Sequence, residues 1–197
     1  MLKTKMTRMF GIKHPIMLAG MNWITEPRLV SAVSNAGGLG LLAIARCNPK
    51  ETRENIRQIR DMTDQPFGVN QILVGPGAKE NIAVAIEEKV PIINYSLGKP
   101  WFVKDVHAYG GKVVGTIAIA RHAARAVELG CDALVITGHE AAAHGAAATS
   151  MVLIPIVASM VDVPLIAAGG FYDGRGSAAA LALGADGISP VSYTPLT

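Results

Sequence analysis

Cysteine, charge and aromatic side chains are all scarce in this sequence: of 197 residues, two are cysteine, 17% are charged and 5% are aromatic. Cys47 and Cys131 lie far apart, with neither a CxxC spacing nor a histidine-paired metal spacing. No disulfide framework or metal site is expected, and a reducing compartment is. The formal charge of +3 and the isoelectric point near 9.0 come from 18 basic and 15 acidic residues spread along the chain. Without a Lys/Arg block, and with few rings to stack on bases, no nucleic-acid partner is expected. Every apolar run is interrupted by Gly, Pro or a charge before it reaches the roughly 18–20 residues of a membrane-spanning helix. Met1 to Met9 carry charges but no signal-peptide apolar region follows them. These absences predict a cytoplasmic protein without a membrane partner.

Half of the residues are hydrophobic, enough to bury a core in a chain of this length. They are gathered in short runs: Pro15–Met21, Leu39–Ala43, Phe67–Leu73, Pro91–Leu97, Lys112–Ile117, Ala133–Thr137, Pro164–Ala168 and Gly187–Ser189. Near-continuous apolar runs without in/out alternation are what a parallel sheet covered on both faces requires. The segments between them carry helical signals. Pro27 opens one, with Leu29, Val30, Ala32 and Val33 expected on its buried face, and Asn35-Ala36-Gly37-Gly38 stops it. Asn48-Pro49 opens a charged helix through Ile56 and Ile59, and further helices are expected over 78–88, 101–109, 120–129, 149–161 and 176–183. Strands alternating with helices about eight times predict an α/β fold, a (β/α)8 TIM barrel, with an open Rossmann-like sheet as the alternative. A complete barrel usually takes about 250 residues. The residues after Ser189 carry no helix signal, so 1–189 reads as a barrel incomplete at its C-terminus and 190–197 as a tail foreign to it.

In such a barrel the strand C-termini face the active site. The runs end in Leu18-Ala19-Gly20-Met21-Asn22, in Asn70 and Gln71, in Asn94 and Ser96, in Thr116, and in Ala168-Gly169-Gly170. Small and amide residues of this kind suit a flat ligand with polar edges, since Gly and Ala let the backbone come close while Asn and Gln bond heteroatoms. The Gly-rich turn Gly169–Gly176, leading into a helix, is a candidate phosphate seat. The stretch Thr137-Gly138-His139-Glu140-Ala141-Ala142-Ala143-His144-Gly145 sets two histidines and a glutamate among small residues. His144, ahead of His139, is the candidate general base, because imidazole titrates near neutrality. Glu140 either orients a histidine or caps the following turn. His14, His107 and His122 fall at element starts and read as surface or capping residues. No third ligand accompanies the histidines and Glu140, so no metal is expected.

Taken in order, Pro15–Met21, Asn35–Gly40, Phe67–Asn70, Gly138–Gly145, Ala167–Gly176 and Ala182–Ile188 resemble the nitronate monooxygenase family, formerly 2-nitropropane dioxygenases, and its relative the flavin-dependent enoyl-ACP reductase. The resemblance runs from Thr7 to Ser189. It implies an FMN-binding barrel. Ala19, Gly20 and Met21 would lie against the flavin ring, Asn70 would bond it, Gly138 and Ala142 would line the site, and Gly169 and Gly170 with Ser189 and the loop after it would hold the phosphate. His144 matches the family histidine that removes the proton α to the nitro group, and O2 completes the oxidation. The chain departs from the family in having Ala142-Ala143 where Gly-Gly is common, and in lacking the usual Met-Gly-Thr-Arg-Phe after the last strand. Weak FMN binding is therefore expected of these 197 residues. The small-molecule partners implied are a nitronate and O2, and homo-oligomers are possible. Alternatives are an enoyl-ACP reductase using NAD(P)H, a non-catalytic flavin-binding barrel and a flavin-free phosphate-binding isomerase.

Overall fold

The computed structural model describes residues 2–141 and 145–190. In order these form α1 (Lys5–Phe10), α2 (Pro27–Asn35), β1 (Gly40–Ala43), α3 (Pro49–Met62), β2 (Phe67–Ile72), α4 (Ala78–Glu87), β3 (Ile92–Ser96), α5 (Val103–Ala108), β4 (Lys112–Ile117), α6 (Arg121–Glu128), β5 (Ala133–Thr137), α7 (Ser150–Ala158), β6 (Leu165–Ala168), α8 (Gly174–Ala182) and β7 (Gly187–Ser189). The seven strands pair in parallel in sequence order. The run Pro15–Met21, expected as a strand of its own, instead joins the sheet by one bridge on each side, Ile16 to Ile188 and Met17 to Leu39. The backbone bonds Met17 N to Ile188 O and Leu18 N to Leu39 O, 2.9 and 2.8 Å, tie it to both edges, and the chain leaves the ladder at Ala19 and Gly20. The expected parallel barrel is thus what forms, with seven full strands and residues 15–18 as its eighth stave. Of the tail expected over 190–197, all but Pro190 lies outside the described residues.

Two apolar layers follow from the period-two alternation of the strands. Inside the barrel, Met17, Leu39, Leu41, Ile92, Val114, Ala133, Val135 and Ile166 pack together, and Met6 and Phe10 of α1 join them from below. The sequence reading did not anticipate α1. It is only six residues long, held by a reciprocal Thr4–Thr7 capping box and stopped by Gly11 in the left-handed region. Outside the barrel, strand residues such as Val69, Ile93, Val113 and Leu134 pack under the helices.

The buried face of α2 differs from the expectation. Pro27, Val30, Ser31 and Ser34 point inward, while Leu29 and Ala32 are exposed. Small serines are needed because α2 lies tight against β1. Ser34 Oγ donates to Pro66 O at 2.9 Å and accepts from Gly40 N–H at 3.2 Å, so it also splices two loops.

Polar ties position the connections. Asn48 and Glu51 cap α3 reciprocally at 2.9 Å. The Asn81 amide, fully buried on α4, donates to Ile44 O at 2.8 Å and Cys47 O at 2.9 Å, and its Oδ1 accepts from the buried Thr52 hydroxyl at 3.1 Å. Arg53, Arg57 and Arg60 of α3 all reach Glu88 after α4. Asp132, before β5, accepts from Val113 N–H and sits 2.8 Å from His107 Nε2 and 3.2 Å from Lys112 Nζ.

Burial alone would push both carboxyls up, yet their donors outweigh it and hold Glu88 and Asp132 below the ordinary carboxylate range. A depressed native pKa adds stability above the unfolded pKa and loses it as pH falls through the native value. The thermal midpoint is therefore expected to be flat from about pH 6 to about pH 5 and to drop below about pH 4. Calorimetry on Glu88→Gln with Asp132→Asn checks this. An acid limb as steep as that of the parent would refute the assignment.

Candidate functional site

The C-terminal ends of the strands surround a cavity of about 870 Å³, within the size range of small-molecule and cofactor sites. Its floor is a polar ladder. Asn70 Nδ2 donates to Asn94 Oδ1 at 2.6 Å, and Asn94 Nδ2 donates to Thr116 Oγ1 and Val114 O at 3.0 Å each. The parallel register that sets Asn70 beside Asn94 makes this possible. Asn94 is buried at 3% exposure and spends its hydrogen bonds within the ladder, so the groups left to a ligand are the Asn70 carbonyl oxygen, the second Asn70 amide N–H and the Thr116 hydroxyl proton. Gly20 closes against this ladder. A Cβ there would stand 2.5 Å from Asn70 Cβ and Cγ, so only glycine allows the approach.

The wall above β5 and β6 is built around Ser150. Its N–H donates to both Glu140 carboxylate oxygens, at 2.9 and 3.2 Å. Its hydroxyl lies 3.0 Å from Glu140 Oε2 and 2.8 Å from Gly169 O, sharing one proton between them. Burial pushes the Glu140 carboxyl up, but its own N–H and both Ser150 donors outweigh that and hold it below the ordinary range. Glu140 thus accepts the first N–H of α7 as a carboxylate, the capping one of the two roles the sequence left open; His144, a histidine it could orient, lies outside the described residues. His139 is exposed, with Nδ1 3.0 Å from Ala146 O and its N–H on Ala148 O, so it staples the loop instead of entering the cavity.

Of the candidate cofactor residues, Ala19, Gly20, Met21, Asn70, Gly169, Gly170 and Ser189 all line this cavity. Gly138 does not. A Cβ there would lie 2.1 Å from Ser150 Oγ, so its small size serves the packing of α7. Ala142 and His144 lie outside the described residues, and Ala141 and Gly145 on either side of them line the cavity. The candidate phosphate seat is narrower than the sequence suggested. The Asp173 side chain caps Arg175 and Gly176 N–H at 3.0 Å each, and Arg175 pairs with it, so the start of α8 is already occupied by a carboxylate. Gly169 and Gly170, at φ 107° and 80°, keep N–H groups without an acceptor among the described residues.

Two features of the rim escaped the sequence. Arg125 of α6 lines the cavity, and so does His122, which is exposed in the first turn of α6 as its reading as a surface or capping residue expected. Trp23, at φ 65° and 76% exposed, sits at the mouth with the Arg46 guanidinium 5.3 Å from its ring centroid. A tryptophan in the left-handed region leaves no local sequence signal. Among the described residues no cluster of His, Cys, Asp or Glu could hold a metal ion, and no helix is long and apolar enough to cross a membrane.

A parallel barrel with a polar-floored cavity at its strand ends defines a class of small-molecule-binding proteins. The family model described as nitronate monooxygenase matches residues 3–81 and 71–191, and the chain belongs to that family. A Rhodococcus jostii protein named (3aS,4S,5R,7aS)-5-hydroxy-7a-methyl-1-oxo-octahydro-1H-indene-4-carboxyl-CoA dehydrogenase is 40% identical over 189 residues, covering 95% of this chain and 54% of its own length. A probable nitronate monooxygenase of Staphylococcus aureus is 28% identical, covering 94% of this chain and 66% of its own length. The structure of FabK from Thermotoga maritima superposes with a TM-score of 0.93 at 40% identity, over 96% of this chain and 61% of that one. The nitroalkane oxidase of Streptomyces ansochromogenes gives 0.87 at 25%, over 95% and 67%. The chain spans about half the length of the Rhodococcus relative. Dehydrogenase, monooxygenase and oxidase are all names of oxidoreductases.

Proposed function

We propose that this chain is the flavin-binding barrel of an FMN-dependent oxidoreductase that acts at a carbon next to an electron-withdrawing group. The observation that carries this reading is the close approach of Gly20 to the Asn70–Asn94–Thr116 ladder, a floor edged with one free acceptor and two free donors. Ala19, Gly20, Met21 and Asn70 would hold the flavin ring, and the N–H groups of Gly169 and Gly170, which meet no acceptor among the described residues, with Ser189 beside them, its phosphate end. FMN, when bound, supplies the electron acceptor that no side chain of the cavity offers. His144 would take the substrate's α proton on an imidazole nitrogen. Glu140 supports it indirectly, by tying the loop to Ser150 while staying ionised itself. The helix cap at Asp173 keeps α8 from competing for the phosphate.

Nitroalkanes and their nitronates are the substrates that the family and the Staphylococcus relative favour. A second reading, a thioester substrate, is favoured by the higher identity to the Rhodococcus protein, whose name specifies a carboxyl-CoA. Both a nitro group and a thioester carbonyl acidify the adjacent C–H, so one floor and one base would serve either. The full-length protein is expected to purify yellow, and His144→Ala to lower turnover by about 10²–10⁴-fold while keeping the flavin. Oxygen uptake with a small alkyl nitronate, against anaerobic bleaching of the flavin by an acyl-CoA, separates the two substrates. A colourless full-length protein would overturn the reading.

A further inference from the structure

The N–H groups of Gly169 and Gly170 are aimed by what stands behind them. The carbonyls of the two peptides that carry these groups are pinned on the far side of the wall. Ala168 O accepts the Gly138 N–H at 2.9 Å, and Gly169 O accepts the Ser150 hydroxyl at 2.8 Å. In a trans peptide the N–H points away from the C=O. Anchoring Ala168 O therefore aims the Gly169 N–H, and anchoring Gly169 O aims the Gly170 N–H. Gly169 and Gly170 line the cavity, whereas Gly138 and Ser150 do not. The carbonyls thus face into the wall and the N–H groups face the ligand space.

The two anchors differ in kind. The bond to Ala168 O continues the β5–β6 ladder, but among the described residues no backbone N–H reaches Gly169 O, and the Ser150 hydroxyl is its one donor. Ser150 is buried, at 5% exposure, and two glycines make room for it. A Cβ on Gly138 would stand 2.1 Å from Ser150 Oγ, and one on Gly169 3.0 Å from it. The anchored peptide lies between Gly169 and Gly170, both at positive φ, where the backbone turns most freely. Without the hydroxyl this peptide can rotate and present its carbonyl oxygen to the cavity instead of its N–H. Glu140 Oε2, 3.0 Å from the same Oγ, competes for the one hydroxyl proton. An anion that accepts the Gly170 N–H polarises the peptide and makes Gly169 O the stronger acceptor, since hydrogen bonds in a line reinforce one another. Glu140 keeps the Ser150 N–H when the proton turns to Gly169.

Resting on the reading of the cavity as a flavin site, we infer that Ser150 is a positioning residue for the flavin phosphate. It does not touch the cofactor. Its hydroxyl holds the Gly169–Gly170 peptide with the N–H forward and completes a line of hydrogen bonds from the phosphate through that peptide to α7. The loops after β5 and β6 meet at this one oxygen, through Glu140 and Gly169, so occupancy of the phosphate seat is felt on the β5 side as well.

The test strips the full-length protein of flavin and titrates it with FMN and with riboflavin, which carries the same ring and lacks the phosphate. Ser150→Ala is expected to weaken FMN by about tenfold or more and to change riboflavin by less than about twofold. Ser150→Cys, with a weaker donor of similar size, is expected to fall between parent and Ser150→Ala for FMN alone. At saturating FMN, the phosphorus resonance of the bound cofactor is expected to move toward its free position in Ser150→Ala. Equal FMN affinity in parent and Ser150→Ala would overturn the proposal, and so would an unmoved phosphorus resonance. Equal losses of FMN and riboflavin would also overturn it, by making Ser150 a general support of the wall. A parent that binds neither flavin would overturn the reading of the cavity together with the proposal, whereas the other outcomes leave that reading standing.

Discussion

Asn81→Leu is expected to lower the free energy of unfolding by roughly 3–5 kcal/mol, read as a fall in the denaturant midpoint without a change in slope. The amide makes three hydrogen bonds from a fully buried position. Two run to Ile44 O and Cys47 O in the loop after β1, and the third comes from Thr52 of α3. Leucine is close in size, so the loss is not a cavity. It is the orphaning of the buried Thr52 hydroxyl and the loss of the amide from the Cys47 carbonyl, at about 1–3 kcal/mol per group before relaxation, while the Ile44 carbonyl keeps the Cys47 N–H at 3.1 Å. Thr52→Val removes the hydroxyl together with its need for a partner, and should cost about 1 kcal/mol. The contrast between the two variants is the measurement. Similar losses for both would mean that Asn81 matters by shape alone.

Gly20→Val should leave the protein folded and strip it of flavin. The new side chain would meet the root of Asn70 as well as its tip, so the amide cannot simply rotate away. Either Asn70 abandons Asn94 or the 19–22 segment lifts off the floor, and both destroy the surface on which a ring would rest. Overpacking of this kind costs about 1–3 kcal/mol, which corresponds to a ten- to hundredfold weaker flavin affinity if the strain is relieved when the cofactor leaves. Absorbance of the bound flavin per protein, with far-ultraviolet dichroism as the control for folding, checks it. A fully loaded Gly20→Val protein would remove the floor from the proposed site.

The residues that made the barrel legible were those whose burial is continuous. β3 and β5 read as strands because nearly every position faces either the barrel interior or the helix layer, leaving no polar alternation to confuse the reading. The α2 face was misread for the opposite reason. Its inward serines are there for close approach and hydrogen bonding, which hydrophobicity does not encode. Gly20 and Asn70 were each singled out by the family resemblance, but their close approach comes from packing, and the ladder through Asn94 and Thr116 is a product of strand register. The occupied start of α8 was open to a closer reading, since an aspartate directly before Gly174 is an ordinary N-cap. The share of α6 in the cavity was not legible at all. Tyr95 and Leu129 come to line one cavity only when β3 and α6 are packed, and nothing local marks either residue.

Closing the ring through residues 15–18 has a consequence for how the chain is made. The stave nearest the N-terminus finds one neighbour, Leu39, almost at once, but its other neighbour, Ile188, is nearly the last residue described. During synthesis the β1 side can zip in sequence, each strand adding to the one before. The seam between Pro15 and Ile188 must wait until everything between them has left the ribosome. Long-range contacts of this kind form slowly, because the intervening chain must be ordered first. Until then two strand edges and Met6 stay exposed, and the seam is the last part of the sheet to close.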